Sequence, residues 1–442
     1  MPQRNFVLLL AAALLSYACY LRAEHNPYSR YIASGLTAIE GEALDCVPDA
    51  ELFDGAMRGM VSVLHARGDE HSQFLPKQEA DPLRDEIRQQ FGGIGVRIRL
   101  AGEPPRLTVV GPIDAGSPAA KGKLLPGDRI LTIDDQPTEQ MTLADAQSRL
   151  RGEPGSTVHL TVQNERESQP RSMELERQVI AIESVLGDVH SPEGQWVFKL
   201  TADPRVAHVR ITSFGDRTAQ ELTHALDQLV ADGVQGVVLD LRDNPGGPLD
   251  MAVAVCDLFL PADKTVVETR GRDAELIRRY STTGKGRFLS LPLAVLVNQN
   301  TASAAEIVAA CLQDHGRAAV VGQRTYGKGT VQQLLPMESG RSLLKLTWAS
   351  FWRPDGVNIH RKPGTPEVEP WGVTPNPGRE LQLSAEDYAT YLKWRADRDM
   401  LNLGDLPGSS KTEPPPAEAN FVDEQLELAV RQLQSQLNAP AL

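Results

Sequence analysis

Ser303, Lys328 and Gln332 are the residues of this 442-residue chain whose types and spacing could break a covalent bond. A serine hydroxyl is a weak nucleophile until a base takes its proton. A lysine amine can be that base once an apolar, desolvated site pushes it toward neutrality. Serine–lysine pairs are one variant of the nucleophile–base–orienter arrangement. Gln332, four residues past the lysine, can orient the amine by hydrogen bonding. The spacing alone also fits a plainer reading, in which Ser303 only starts a helix and Lys328 is a solvated loop charge.

The flanking sequence reads as strand, turn, helix, strand, loop. Leu293–Val297 is a short apolar run suited to a buried strand. Asn298-Gln299-Asn300-Thr301 is turn chemistry. Ala304 to Asp314 carries Ile307, Val308, Cys311 and Leu312 on one stripe, with Gly316 past its end, and predicts a helix. Ala318–Val321 is the next strand, and Lys328 comes after it in a glycine-flanked loop. Ser303 therefore falls at a helix N-terminus, where unpaired N–H groups favour developing negative charge.

This stretch, TASAAEI…GRAAVVGQRTYGKGTVQ, closely resembles the carboxyl-terminal processing (tail-specific) peptidases, whose core reads SASASEI…GRAVVVGxxTFGKGTVQ. The resemblance implies Ser303 as nucleophile, Lys328 as general base and Gln332 as the lysine-orienting residue. Thr301 and Ala305 stand for serines and Tyr326 for phenylalanine. The turn Arg242-Asp243-Asn244-Pro245-Gly246-Gly247 resembles the family's R-x-N-x-GG segment, which implies an oxyanion hole from the N–H groups of Gly247 and Ala304. Pro245, where the family often has glycine, has no N–H to donate. Without the resemblance, the same turn is a tight strand-to-helix connection with glycine for geometry only. Asp240 and Arg242 read as structural. Further matches, at Asp69 to Leu75, Val206–Phe214, Leu343–Phe351 and Trp371–Pro375, extend the likeness over residues 44–380; Asn376 replaces the usual aspartate.

From Arg84 to Ile182 the pattern is short strands and turns: Gly92-Gly93-Ile94-Gly95-Val96, Gly116-Ser117-Pro118-Ala119, Pro126-Gly127-Asp128-Arg129-Ile130, and a short helix from Thr142 to Leu150. Together these resemble a PDZ domain of the processing-peptidase type. The resemblance implies that Gly93, Ile94, Gly95 and Val96 form a carboxylate-binding loop and strand start, with Ile94, Val96, Leu143 and Ala146 around an apolar pocket. The physics suits carboxylate capture by clustered N–H groups and strand addition by an extended peptide. Lys121-Gly122-Lys123-Leu124 departs from the family's Ala-Gly-Leu. The glycine loop is not a dinucleotide motif, because Ile98 stands where the last glycine is needed.

Other chemistries fail on particular residues. Gly322 to Lys328 mimics a P-loop, but Gly329 replaces the Ser or Thr that would bind magnesium. GxSxG and SxxK with KTG are missing. His71 reads as a loop residue, since Lys328 already supplies a base. The net charge of −13 opposes nucleic-acid binding. Cys46, Cys256 and Cys311 form no zinc spacing, and Cys256 and Cys311 sit on apolar helical stripes. No metal and no organic cofactor is implied.

Arg4 followed by the uncharged run Phe6 to Leu21 resembles a secretory signal. Ser16-Tyr17-Ala18 is a poor cleavage site, so a cleaved signal peptide and an uncleaved anchor through residues 6–21 both fit. The expectation is an exported chain, periplasmic or otherwise extracytoplasmic, free or held at the inner membrane.

The fold class expected from the resemblance is α/β: a crotonase/Clp-protease-like core with an inserted PDZ domain and helical N- and C-terminal segments. Its expected parts are a signal or anchor at 1–22, a helical segment at 26–82, the PDZ domain at 84–182, the Ser/Lys peptidase core at 183–380, and helices with a Pro-rich linker at 381–442. The expected activity is serine endopeptidase cleavage of protein or peptide substrates with free, apolar C-termini, with an activating adaptor as a further partner. A PDZ scaffold with a silent peptidase core is the competing class.

Overall fold

In the computed structural model, which describes residues 9–10, 12–17, 27–109, 116–164, 168–191, 195–362, 364–366, 368–399 and 421–438, the apolar runs of the core become one parallel sheet. Val206–Ile211, Gly236–Asp240, Leu293–Val297 and Ala319–Gly322 lie side by side in chain order, with Val185–Leu186 antiparallel at the edge. Every residue of the strands Val206–Ile211, Gly236–Asp240 and Leu293–Val297 is buried. That requires cover on both faces.

Side chains alternate across a strand, so each face draws a different set. Val209, Ile211, Val237, Leu239, Val295 and Val297 pack with the helices Thr218–Ala231, Leu249–Asp257 and Ala304–Asp314. Val206, Val238, Ala294 and Leu296 face Leu426, Ala429 and Leu433 of the last helix, Glu424–Leu437. The C-terminal helix is thus the cover of one sheet face. His208, Arg210 and Asp240 alternate onto this second face. There they form a buried ionic network with Asp188, Arg242, Arg395, Asp399 and Asp423.

The PDZ region keeps its own core of Ile94, Leu107, Ile130, Ile133, Ala146, Val158, Leu160 and Val162. Its sheet runs Ile98–Ala101, Arg106–Val109, Arg129–Ile133, Thr157–Gln163, Arg171–Glu176. The helix Leu143–Leu150 is started by a capping box between Thr142 and Asp145. The stretch expected as carboxylate-binding loop and strand start is placed as follows. Gly93 ends a strand, opposite Gln178, and Ile94 is buried in the PDZ core with its carbonyl accepting the Ala119 N–H. Gly95, at φ 72°, and Val96 lie in the loop that leads to Ile98–Ala101, an edge strand.

The chain divides into two compact units, 1–77 with 333–347, and 78–332 with 348–442. The PDZ region and the core belong to the second. In the first, Asp49–His65 packs Met57 and Val61 against Phe74, with Phe53 and Leu344 beside them. The Asp69 carboxylate there accepts the N–H groups of His71 and Ser72 and the hydroxyls of Ser72 and Thr347.

The sequence reading begins the PDZ strands at Arg84, but a helix runs on from Lys77 to Arg88 with Pro82 inside it. Pro82 is exposed, so the carbonyl freed by its missing N–H can meet solvent. Of the targeting segment at 1–22, only 9–10 and 12–17 are described, as helix; the prolines of the linker expected within 381–442 fall in 400–420, outside the described residues. Among the described residues no helix is long and apolar enough to cross a membrane.

Candidate active site

Parallel strands in register deliver their following loops to one edge of a sheet, where open α/β sheets bind ligands. Here those loops are 241–248, 298–303 and 323–329. Asn244, fully buried, stitches them. Its amide donates to the Ile211 carbonyl at 2.7 Å, its side-chain oxygen accepts the Gly246 N–H at 2.8 Å, and its own carbonyl accepts the Ala302 N–H at 2.9 Å. The Thr301 hydroxyl donates to Leu241 O at 2.8 Å, and the Thr301 carbonyl accepts the Tyr326 N–H at 3.0 Å.

Ser303 precedes the helix Ala304–Asp314 at φ 56° and ψ −118°. A non-glycine residue rarely takes such a conformation, and one held there is strained. Close packing explains how it is held. A Cβ on Gly246 would lie 2.7 Å from Ser303 Cβ and 2.9 Å from Ala304 N, and one on Gly247 would lie 2.0 Å from Phe214 O. Only glycine lets this turn approach the serine. Among the described residues, neither Gly247 nor Ala304 donates its N–H to a protein acceptor.

Glu306, fully buried in the first turn of that helix, ties the serine to the lysine loop. Its Oε2 accepts the Ser303 N–H and the Lys328 N–H, both at 2.8 Å. Its Oε1 accepts the Gly327 N–H at 2.7 Å and the Thr325 hydroxyl at 2.6 Å. The backbones of Ser303 and Lys328 therefore stand within two hydrogen-bond lengths of each other. Burial pushes the Glu306 carboxyl up to about 7, against the pull of these four donated bonds.

The lysine loop is braced from its other side. Arg361 N–H donates to Gly327 O and Phe351 N–H to Gly329 O, both at 2.9 Å. The Trp371 ring lies between the guanidinium groups of Arg324 and Arg361, at 4.0 and 4.1 Å from its centroid. Lys328 is half-buried. The Gln332 amide donates to Thr330 Oγ1 at 2.9 Å. Lys328 leads into the strand Thr330–Met337, whereas a P-loop leads into a helix. Among the described residues no cluster of His, Cys, Asp or Glu could hold a metal ion.

The profile of peptidase family S41 matches residues 205–376, and a PDZ domain profile matches residues 109–164. A carboxy-terminal-processing protease of Bartonella bacilliformis is 30% identical over 412 residues, 90% of each chain. The chain belongs to the carboxy-terminal processing proteases of family S41. It is a serine-type hydrolase with a PDZ domain that acts on protein substrates. It is also similar to the carboxy-terminal processing protease CtpA of Bacillus subtilis, 32% identical over 73% of this chain and 64% of that one. A carboxyl-terminal-processing protease of Synechocystis is 36% identical over 66% of this chain and 65% of that one.

In this processing protease the sequence reading passed over Glu306 and Thr325. The signal for Glu306 was present: Ser303-x-x-Glu306 before an apolar run is the capping-box spacing. Thr325 carried no local signal. Its hydroxyl accepts the Val373 N–H at 2.7 Å while donating to Glu306, a link across 48 positions of the chain.

Proposed function

We propose that this peptidase captures a protein by its free, apolar carboxyl terminus and cleaves it with a Ser303–Lys328 dyad. The observation that carries the reading is the single carboxylate oxygen of Glu306 that takes the N–H groups of both residues. Neutral Lys328 accepts the Ser303 hydroxyl proton as Oγ attacks the scissile carbonyl. Gly247 and Ala304 donate to the oxygen as its charge develops. Lys328 passes its proton to the leaving amine. A water then gives a proton to Lys328 and attacks the ester, and Ser303 regains its hydroxyl. Gln332 orients the amine in this reading.

Among the described residues the strand Ile98–Ala101 pairs with no strand but Arg106–Val109, so its other edge can accept an extended peptide. The N–H groups of Gly95 and Val96 meet the terminal carboxylate. Arg4 and the apolar run Phe6 to Leu21 place the peptidase outside the cytoplasm in this reading.

The test compares wild type, Ser303→Ala and Lys328→Ala on an unstructured protein with an apolar terminus, free or amidated. Loss of cleavage in both variants, and slower cleavage of the amidated substrate, is the expected result. Full hydrolysis by Lys328→Ala sinks the dyad; equal rates on free and amidated substrates sink carboxylate capture.

A further inference from the structure

Two consecutive residues of the oxyanion turn are gripped by the C-terminal helices. Arg242 is buried, and its guanidinium donates to Asp240, to Asp423 at 2.8 and 3.0 Å and to Gln425 at 3.1 Å, over the Tyr391 ring at 4.6 Å. Asp243 comes next, at φ 60°. Its Oδ1 accepts three donors: the Tyr388 hydroxyl at 2.5 Å, Asn298 Nδ2 at 2.9 Å and Asn300 Nδ2 at 2.9 Å. Asn300 Nδ2 also donates to the Tyr388 oxygen at 2.7 Å. Tyr388, from the helix Ala385–Arg398, therefore closes a triangle. One corner is the turn that ends at Gly247, and another is the loop that delivers Ser303.

We propose that Tyr388 is a positioning residue for the oxyanion site: its hydroxyl, joined to Asp243 and Asn300, fixes the distance between the Gly247 turn and the Ser303–Ala304 loop. The inference rests on the oxyanion site proposed above. The helix itself does not need this hydroxyl. Arg395 and Arg398 hold it to Asp188, and Asp399 to Arg210, while Tyr391 and Trp394 pack on Phe421. Removing the hydroxyl thus leaves the helix docked; the two loops stay joined through Asn298 and Asn300 but lose the donor to Asp243 and the acceptor for Asn300 that brace that junction. Burial and the Asp243 carboxylate push the phenol up to about 12, so it stays a donor wherever the enzyme works.

The substitution that tests this is Tyr388→Phe in the full chain. Loss of a whole oxyanion donor costs about 10²–10³ in rate; a donor left in place but loosened loses a fraction of that, about tenfold. A peptide aldehyde gives a second readout, because its adduct with a serine puts an oxygen where the oxyanion forms, whereas KM reports the ground state. The expected result is kcat lower by about tenfold, aldehyde inhibition weaker by a similar factor, KM within about twofold, and an unchanged unfolding midpoint. Unchanged kcat and aldehyde affinity overturn the proposal, and so does a rise in KM alone. Silence of the wild type toward both substrate and aldehyde overturns the oxyanion-site reading beneath it, a failure distinct from that of Tyr388.

Discussion

Glu306→Gln changes one atom at the point where the Ser303 and Lys328 loops meet. The carboxylate takes two donors on each oxygen, and an amide offers one acceptor oxygen. With its NH₂ toward Thr325 and Gly327, the hydroxyl of Thr325 can turn to accept, but the Gly327 N–H cannot. The less costly orientation therefore strands one buried N–H, for about 1–3 kcal/mol. Gly327 is bonded to Lys328, so the proposed base moves with it. If that cost falls on the transition state, kcat drops by about 5- to 140-fold at about 1.4 kcal/mol per tenfold.

The pH profile sharpens the test. Protonating Glu306 inserts a hydrogen among four donated bonds, of which only the Thr325 hydroxyl can turn to accept it, so wild-type activity should fall as pH drops through about 7. The substituted enzyme should lack that limb. Arg324, Tyr326 and Lys328, the ionisable side chains of the loop 323–329, are present in both proteins, so the difference profile reports Glu306. The stability effect has the opposite sign. A folded value of about 7 against 4.5 means the contribution is complete below the unfolded value and is lost as pH rises through about 7. It amounts to roughly 3 kcal/mol. The assay is kcat and KM on a fluorogenic peptide, with urea midpoints, over about pH 5.5 to 8.5. Wild-type and Glu306→Gln rates within threefold of each other, with parallel pH profiles, would refute the reasoning.

Gly246→Ala should abolish measurable cleavage, because its Cβ falls 2.7 Å from Ser303 Cβ at a glycine with φ 99°; a folded variant with more than about a tenth of wild-type kcat counts against the close-approach argument. Arg242→Met should lower the urea midpoint by the equivalent of about 3–5 kcal/mol, since Asp240 and Asp423 are left buried without their cation. The guanidinium of Arg242 helps hold the Asp240 carboxyl far below its usual range despite burial. The stability from Asp240 is therefore present above the unfolded value of 3.8 and lost as pH falls below it, and urea titration at acid pH checks the sign.

The amino-acid sequence alone determined the elements with a clean local period. Leu293–Val297 and Ala304–Asp314 fall where the apolar pattern puts them, because burial of one face is written into neighbouring residues. The hairpin Thr265–Arg270 with Leu276–Ser281 went unread, since Glu268, Arg278 and Arg279 interrupt any alternation, and Glu268 meets Arg279 only once the strands pair. Ser303, Lys328 and Gln332 were singled out by residue type and resemblance. Only the tertiary structure decided that Glu306 would receive both backbones, that Gly93 would end a strand, and that Tyr388 would reach Asp243 across 145 positions of sequence. A buried hydrogen bond depends on which donors the folded chain brings within 3 Å or so of an acceptor. Local periodicity holds no record of that distance until the parallel strands are in register.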